Sequence, residues 1–268
     1  IRNCLVGSEM CIRDRHIVGV GNLGSSLATG LNNINEDFNV YLYDQNPEFS
    51  PMNNYEIKKE INFINDGVLI LCIKPKDIKQ FISSYSDKIS DNVLICSVLA
   101  GVEVKYFEKH FNNKILRLMP NLSIKKNTGF IPYTKNYEDD YLSFLKILNG
   151  LGSISEYDEE LFHVITSIYG SGPAWYLELS AKIVEAGQKL GLEKTEANRI
   201  VKELVNSLPA FISDEEFMTT VDKIKSPNGT TEAGLNSLEM DSFDKIIENA
   251  INSATNRSKE ISQEMNND

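Results

Sequence analysis

The chain has 268 residues and a formal net charge of −11. That length suits two domains better than one compact core, and an acidic chain is a poor match for a phosphate backbone or an anionic lipid surface. The longest apolar run, Val68 to Ile73, is strand-sized and far short of the roughly 20 residues that a membrane helix needs. Neither nucleic acid nor membrane is therefore expected as a partner, and the chain reads as cytoplasmic.

Residues 1 to 15 form neither a signal peptide nor an amphipathic targeting helix. The stretch from Cys4 to Asp14 resembles a translated sequencing-adapter scar, so residues 1–15 are set aside as artefactual. His16-Ile17-Val18 is then what remains of a first strand. A helix follows from Leu23 to Leu31, and Val40 to Tyr43 is the second strand. Val68 to Ile73 and Val93 to Val98 are uninterrupted apolar runs, as expected for strands of a parallel sheet covered on both faces. Ile115 to Met119 and Gly129 to Tyr133 are shorter candidates. Strands separated by helical patterns imply βαβ units and a Rossmann-type, mainly parallel sheet over residues 16–157.

From about Asp158 the chain reads as helical, giving a second, all-helical domain over 158–268. Pro173 suits the first turn of a helix, in which Ala174, Leu177, Ala181 and Val184 share a face. Gly191 fits its stop. Thr195 is placed as the cap of a second helix carrying Ile200, Val201, Leu204, Val205 and Leu208, which Pro209 should kink or end. A last helix starts near Asp241 and aligns Ile246, Ile247, Ala250, Ile251 and Ala254. These faces are too apolar for a lone small domain and suggest packing against a second subunit.

Among four cysteines, Cys72 and Cys96 fall in the apolar strands and Cys4 and Cys11 near the start. No pair has zinc or redox spacing, so the cysteines read as reduced and no metal is expected. His16, His110 and His163 have no motif context.

Gly19-Val20-Gly21-Asn22-Leu23-Gly24 is a G-x-G-x-x-G between a strand and a helix. The first glycine permits the turn, the second lets a pyrophosphate approach the backbone, and the third lets the helix pack close to the strand. The helix start offers N–H groups to phosphates. Asp44 ends the second strand, where a carboxylate can bond both ribose hydroxyls of an adenosine and repel a 2′-phosphate. Gln45, Asn46 and Pro47 follow it, with no adjacent cation. NADH is therefore expected in preference to NADPH.

Five further segments occur in an order that resembles the pyrroline-5-carboxylate reductase family. Ile73-Lys74-Pro75-Lys76 is similar to its V-K-P-Q, and Ser97 to Val102 to its S-x-A-A-G-V. Arg117 to Asn121 is similar to R-x-M-P-N, Tyr169 to Trp175 to S-G-S-G-P-A-Y, and Ser226 to Leu235 to S-P-G-G-T-T-x-A-G-L. The resemblance spans His16 to about Glu260. It departs from the family at Leu122-Ser123, which replaces Thr-Pro, at Asn228, which replaces a Gly, at Lys59, near a frequent Asn, and at Ala181, where the family is often acidic.

The resemblance implies hydride transfer from NADH or NADPH to the cyclic imine 1-pyrroline-5-carboxylate, the last step of proline biosynthesis. It implies a homodimer with interlocked helices, or a larger homo-oligomer. It adds Cys72, Ile73, Lys74, Pro75, Ala100, Gly101, Met119, Pro120 and Asn121 to the glycine turn and Asp44 as cofactor contacts. For the substrate it implies Glu159, Ser226, Asn228, Gly229, Thr230 and Thr231, with the Thr231 hydroxyl as the catalytic group beside the ring nitrogen. Independently, the N–H groups of Gly229, Thr230 and Thr231 at a helix start suit a carboxylate. Two rivals are weighed. A β-hydroxyacid dehydrogenase would need an Asn four residues after Lys182, where Ala186 stands. A nucleotide-binding regulatory homologue without turnover would account for the departures.

Overall fold

The computed structural model describes residues 14–36, 38–49, 55–138 and 142–266. Cys4, Cys11 and most of the segment set aside lie outside them. Asp14 and Arg15 do not: they open the first strand, β1 (Asp14–Val18). Asp14 Oδ1 accepts from Asn39 Nδ2 at 2.8 Å. Arg15 is buried, its guanidinium 3.8 Å from the Phe38 ring centroid. Setting these two aside is corrected, because two polar residues whose partners are distant in sequence carry no local strand signal.

The remaining elements follow in order: α1 (Asn22–Asn32), β2 (Asn39–Tyr43), β3 (Ile57–Lys58), β4 (Val68–Leu71), α2 (Ile78–Tyr85), β5 (Leu94–Ser97), α3 (Val104–Glu108), β6 (Ile115–Leu118), β7 (Gly129–Lys135), α4 (Leu142–Asn149) and β8 (Gly152–Glu156). The strands form one sheet in the order β3-β2-β1-β4-β5-β6-β7-β8. β1 to β6 run parallel; β7 is antiparallel to β6 and parallel to β8. The first six strands have the order of a dinucleotide-binding sheet, which reverses direction between β1 and β4.

The continuous apolar runs are explained by burial on both faces. Val68 and Ile70 point to one side with Leu27, Leu31 and Phe144, of α1 and α4. Leu69 and Leu71 point to the other with Ile78, Phe81 and Phe107, of α2 and α3. Period-two alternation thus serves two cores at once. β4 and β5 are each two residues shorter than their apolar runs, because Cys72, Ile73 and Val98 belong to the loops that leave the sheet and Val93 to the turn that enters it. β3 and β8 were not expected: β3 has two residues, and Gly152-Ser153 does not look like a strand.

The helical run comprises α5 (Phe162–Ile165), a π-type turn over Thr166–Gly170, α6 (Gly172–Lys189), α7 (Lys194–Ser207), α8 (Phe217–Ile224), α9 (Thr230–Met240) and α10 (Phe243–Asn266). Pro173 lies in the first turn of α6. Gly191, at φ +105, follows its end. Thr195 does not cap α7: Glu193 holds that position, and Thr195 lies inside the first turn. The helix ends at Ser207, and Leu208, still helical at φ −53, opens a 3-10 turn (Leu208–Phe211) with Pro209 in its first turn, because proline has no N–H to continue the α-helical ladder.

One compact unit comprises the residues up to Gly170 together with those from Ala254 onward; the other is Ser171–Ser253. The second unit buries little by itself. Ala197 and Val201 are buried, whereas Tyr176, Leu177, Phe217 and Met240 are each more than 60% exposed. No helix among the described residues is long and apolar enough to cross a membrane.

Candidate functional site

The loops that leave β1, β2, β4, β5 and β6 all emerge at one edge of the sheet, because these strands are parallel and enter it the same way. The sequence-predicted cofactor residues follow these strands along that edge. At the β1/β4 reversal lies a cleft of about 340 Å³, the place where open α/β sheets bind ligands.

Each glycine of the turn after β1 has its own reason. Gly19 has φ +91, and a Cβ there would lie 2.8 Å from the backbone of Cys72. A Cβ on Gly24 would lie 2.0 Å from the Gly19 carbonyl oxygen, so α1 could not sit against the strand end. A Cβ on Gly21 would meet nothing within 4 Å. Its role is to leave space rather than to permit packing. Gly21 is also the N-cap of α1 and has no side chain to close the first turn. Open space against uncapped N–H groups is what a pyrophosphate requires.

Asp44 borders the cleft. Its Oδ2 accepts the Val20 N–H at 2.7 Å and its Oδ1 the Asn46 N–H at 2.9 Å. Each oxygen retains a lone pair for a ribose hydroxyl. Ile73, Lys74 and Cys72 line the opposite side. Burial pushes the Cys72 thiol up to about 12, so it presents a neutral wall.

Other expected cofactor residues stand outside this cleft. Leu23 packs into the core behind α1, and Asn22 uses its carbonyl to accept from Ser25 and Ser26. Pro75 opens a short 3-10 turn ahead of α2. Ala100 and Gly101 follow β5. Gly101, at φ +75, lies where a Cβ would meet Ile261 of α10 at 2.7 Å, which gives it a packing reason. Met119, Pro120 and Asn121 follow β6. Asn121 Oδ1 accepts the Ser123 N–H at 2.9 Å, and its Nδ2 donates to the Tyr169 carbonyl at 3.2 Å.

Sequence reasoning noted Lys59 only as a departure near a cofactor-side Asn of the family and did not assign Lys76, Gln80 or Tyr85 to the cleft; all four line it. A signal for two of them existed. Lys76, Gln80 and Ser84 recur every four residues as the polar stripe of α2 and the turn before it, opposite Ile78 and Ile82. Lys59, Lys74 and Lys76 bring cations to a cleft whose lining also carries Asp44 and Asp77, in an acidic protein.

Glu159 is committed to an internal partner. Its Oε1 lies 2.7 Å from Arg117 Nη1 and accepts the Val104 N–H at 2.8 Å. Arg117 is fully buried and packs 4.8 Å from the Phe162 ring centroid. Burial lowers its tendency to hold a proton, which Glu159 opposes.

In the second unit, Ser226 to Thr231 forms a tight turn into α9. Asn228 has φ +58, a conformation that Asn tolerates after Gly. Its N–H donates to Glu232 Oε2 at 2.8 Å. Gly229 is the N-cap, and a Cβ there would lie 2.3 Å from Ser226 Oγ. One expectation is corrected: the Gly229 N–H is not open to a ligand carboxylate, because it donates to the Ser226 carbonyl at 3.0 Å. The N–H groups of Thr230 and Thr231, in the first turn of α9, are left for that part.

His16 and His163 are both buried and hydrogen-bonded, to Tyr43 and Ser258. No group of three His, Cys, Asp or Glu side chains among the described residues is arranged to hold a metal ion.

Comparison with known proteins adds to this geometry. A family model described as pyrroline-5-carboxylate reductase dimerisation matches residues 159–261. One described as NADP oxidoreductase, coenzyme F420-dependent, matches residues 16–101. Pyrroline-5-carboxylate reductase 1 of Bacillus subtilis is 35% identical over 205 residues, covering 74% of this chain and 69% of that protein. The Staphylococcus epidermidis pyrroline-5-carboxylate reductase is 28% identical over 268 residues, covering 91% of this chain and 96% of its own. The crystal structure of Plasmodium falciparum pyrroline carboxylate reductase with NADP bound has a TM-score of 0.78 at 25% identity, covering 93% of this chain and 99% of that one.

Proposed function

The chain belongs to the pyrroline-5-carboxylate reductase family, and from that premise we propose that it reduces the cyclic imine 1-pyrroline-5-carboxylate to L-proline with a nicotinamide cofactor. The observation that carries the reading is the cleft at the β1/β4 reversal, with Gly21 facing open space and Asp44 on its rim.

In this reading Gly19, Gly21 and Gly24 bring α1 against the cofactor phosphates, with Lys74 on the facing wall. Asp44 takes the adenosine ribose hydroxyls, which favours NADH. The Plasmodium relative is described with NADP, and Lys59 and Lys76 give the cleft cations that could accept a further phosphate, so NADPH is the alternative coenzyme. The reduced nicotinamide, when bound, supplies the hydride.

The protein's own part is positioning. A protonated imine carbon is already electrophilic, and hydride addition leaves a neutral amine, so a strong general acid is unnecessary. The N–H groups of Thr230 and Thr231 would hold the substrate carboxylate, on a loop shaped by Ser226, Asn228 and Gly229. The Thr231 hydroxyl would meet the ring nitrogen. Glu159 enters only through Oε2, since Oε1 is taken by Arg117 and Val104. The proposal assigns residues 16–157 to cofactor binding and 158–268 to substrate binding and dimerisation, in the cytoplasm. The exposed apolar side chains of the second unit and the dimerisation family model support a homodimer.

Reduction with coenzyme deuterated at C4 tests the chemistry. Deuterium should move to the former imine carbon of proline; proline without it would overturn direct hydride transfer.

A further inference from the structure

The mechanism leaves one half-buried ring of hydrogen bonds unused, at the turn after β6. Tyr169 lies in the π-type turn over Thr166–Gly170, an irregularity that often marks a functional position. Its hydroxyl accepts the Phe130 N–H at 2.7 Å and lies 3.4 Å from Ser123 Oγ. The Ser123 hydroxyl donates to Asn121 Oδ1 at 2.6 Å. Ser123 has a single hydroxyl proton, so in the longer contact Tyr169 is the donor. The order is therefore fixed: Phe130 N–H to Tyr169 O–H to Ser123 O–H to Asn121 Oδ1. The Tyr169 carbonyl closes the ring by accepting from Asn121 Nδ2 at 3.2 Å.

This ring decides how the Asn121 amide is oriented. Oδ1 accepts two donors, the Ser123 N–H and O–H, and Nδ2 donates one of its two hydrogens to Tyr169. Tyr169 also packs edge-on against Phe130, with centroids 5.4 Å apart, so its position does not depend on the hydroxyl alone. Tyr169 and Ser123 stand where the resembled motifs carry Ser and Pro. A proline at 123 has neither the N–H nor the hydroxyl that Asn121 uses, and a serine at 169 is too short to span this gap. The two departures meet in one contact.

β4, β5 and β6 form the half of the sheet beyond the β1/β4 reversal, opposite the Asp44 side. In a doubly wound sheet that half serves the second mononucleotide, here the nicotinamide. We propose that Tyr169 is a positioning residue. Through Ser123 it holds the Met119-Pro120-Asn121 turn in the conformation that receives the nicotinamide half of the cofactor. The inference rests on the dinucleotide-dependent reading above.

The test is Tyr169→Phe, which keeps the ring packing and removes the hydroxyl. Affinity for NADH and for ADP-ribose, which lacks the nicotinamide, would be measured by calorimetry, with kcat/KM for imine reduction alongside. NADH affinity and kcat/KM should fall about tenfold, because binding must then select the receiving conformation of the Asn121 turn from a mixed population, while ADP-ribose affinity stays within about twofold. Ser123→Ala, alone and added to Tyr169→Phe, completes a double-variant cycle in which the combined loss should be smaller than the sum of the two single losses, because Tyr169 acts through the Ser123 hydroxyl. Equal losses for NADH and ADP-ribose, or no loss for either, or an additive double variant, would each overturn the proposal. Failure of the reductase reading would show differently: the wild-type protein would not oxidise NADH with the imine, while the two binding affinities would still judge Tyr169.

Discussion

Asp44 Oδ2 accepts the Val20 N–H at 2.7 Å, so the carboxylate at the end of β2 is tied to the middle of the glycine turn after β1. One side chain therefore both fixes the turn and presents the carboxylate to the cleft. Coenzyme choice and the geometry of the phosphate turn are linked through it.

Replacing Asp44 by Ser, with Gln45→Arg, should shift the NADPH-to-NADH ratio of kcat/KM by about tenfold or more toward NADPH, since a carboxylate that repels the 2′-phosphate is exchanged for a cation. Steady-state kinetics with both coenzymes would read it. An unchanged ratio would mean that Asp44 does not face the ribose.

Gly24→Ala should abolish tight coenzyme binding. The new methyl would lie 2.0 Å from the Gly19 carbonyl oxygen, backbone that cannot yield without moving α1 off the strand end. Coenzyme affinity should fall at least about tenfold, and wild-type affinity would show that the close approach of helix and turn is dispensable.

Arg117 and Glu159 should behave as a coupled pair. Glu159→Gln removes the direct carboxylate partner of the buried guanidinium and should cost about 1–3 kcal/mol of unfolding free energy, less than for a fully buried pair because the Glu159 side chain is 29% exposed. Arg117→Met added to Glu159→Gln should recover much of this, because no charge then remains buried. Denaturant unfolding of both variants decides the point; an additive double variant would remove the coupling.

His163 should give the protein an acid-sensitive contact. Burial, then the Arg117 charge, lower its affinity for a proton below the ordinary imidazole value of 6.5; Lys259 acts the same way and Glu103 opposes both. Its neutral ring pairs with Ser258 of α10 at 2.9 Å. The stability gained from keeping it neutral is present above about pH 6.5 and is lost as pH falls through the lower folded-state value. Glu103, held below its ordinary value although burial alone would raise it, loses its contribution only in stronger acid. Thermal midpoints should thus fall as pH drops from about 7 to 5, and less so in His163→Gln. Equal slopes in the two proteins would exclude His163 as the source.

Thr231→Ala should leave coenzyme affinity unchanged and lower kcat, because the hydroxyl is assigned to the imine and not to the dinucleotide. A variant with full turnover would remove Thr231 from the reacting centre.

The fold was legible where local pattern and final environment agree. The runs at Val68 to Leu71 and Leu94 to Ser97 are apolar on both faces because both faces are covered, and Gly19-x-Gly21 announces its turn because few residues can replace it. What escaped was set by distant partners. Arg15 and Asp14 are strand residues because Phe38 and Asn39 meet them. Glu159 looked like a surface acid near the substrate, yet its bond is to Arg117 on β6. The Gly229 N–H looked open because nothing in the sequence shows that Ser226 folds back to accept it. Lys59 reaches the cleft from the segment around β3, a strand of two residues too short to be recognised.

The most direct measurement is the loss of the reduced-nicotinamide absorbance when the protein is given 1-pyrroline-5-carboxylate with NADH or NADPH, followed by quantification of proline. The account predicts oxidation matched mole for mole by proline, faster with NADH. Coenzyme that binds in the cleft but is not oxidised in the presence of the imine would contradict it.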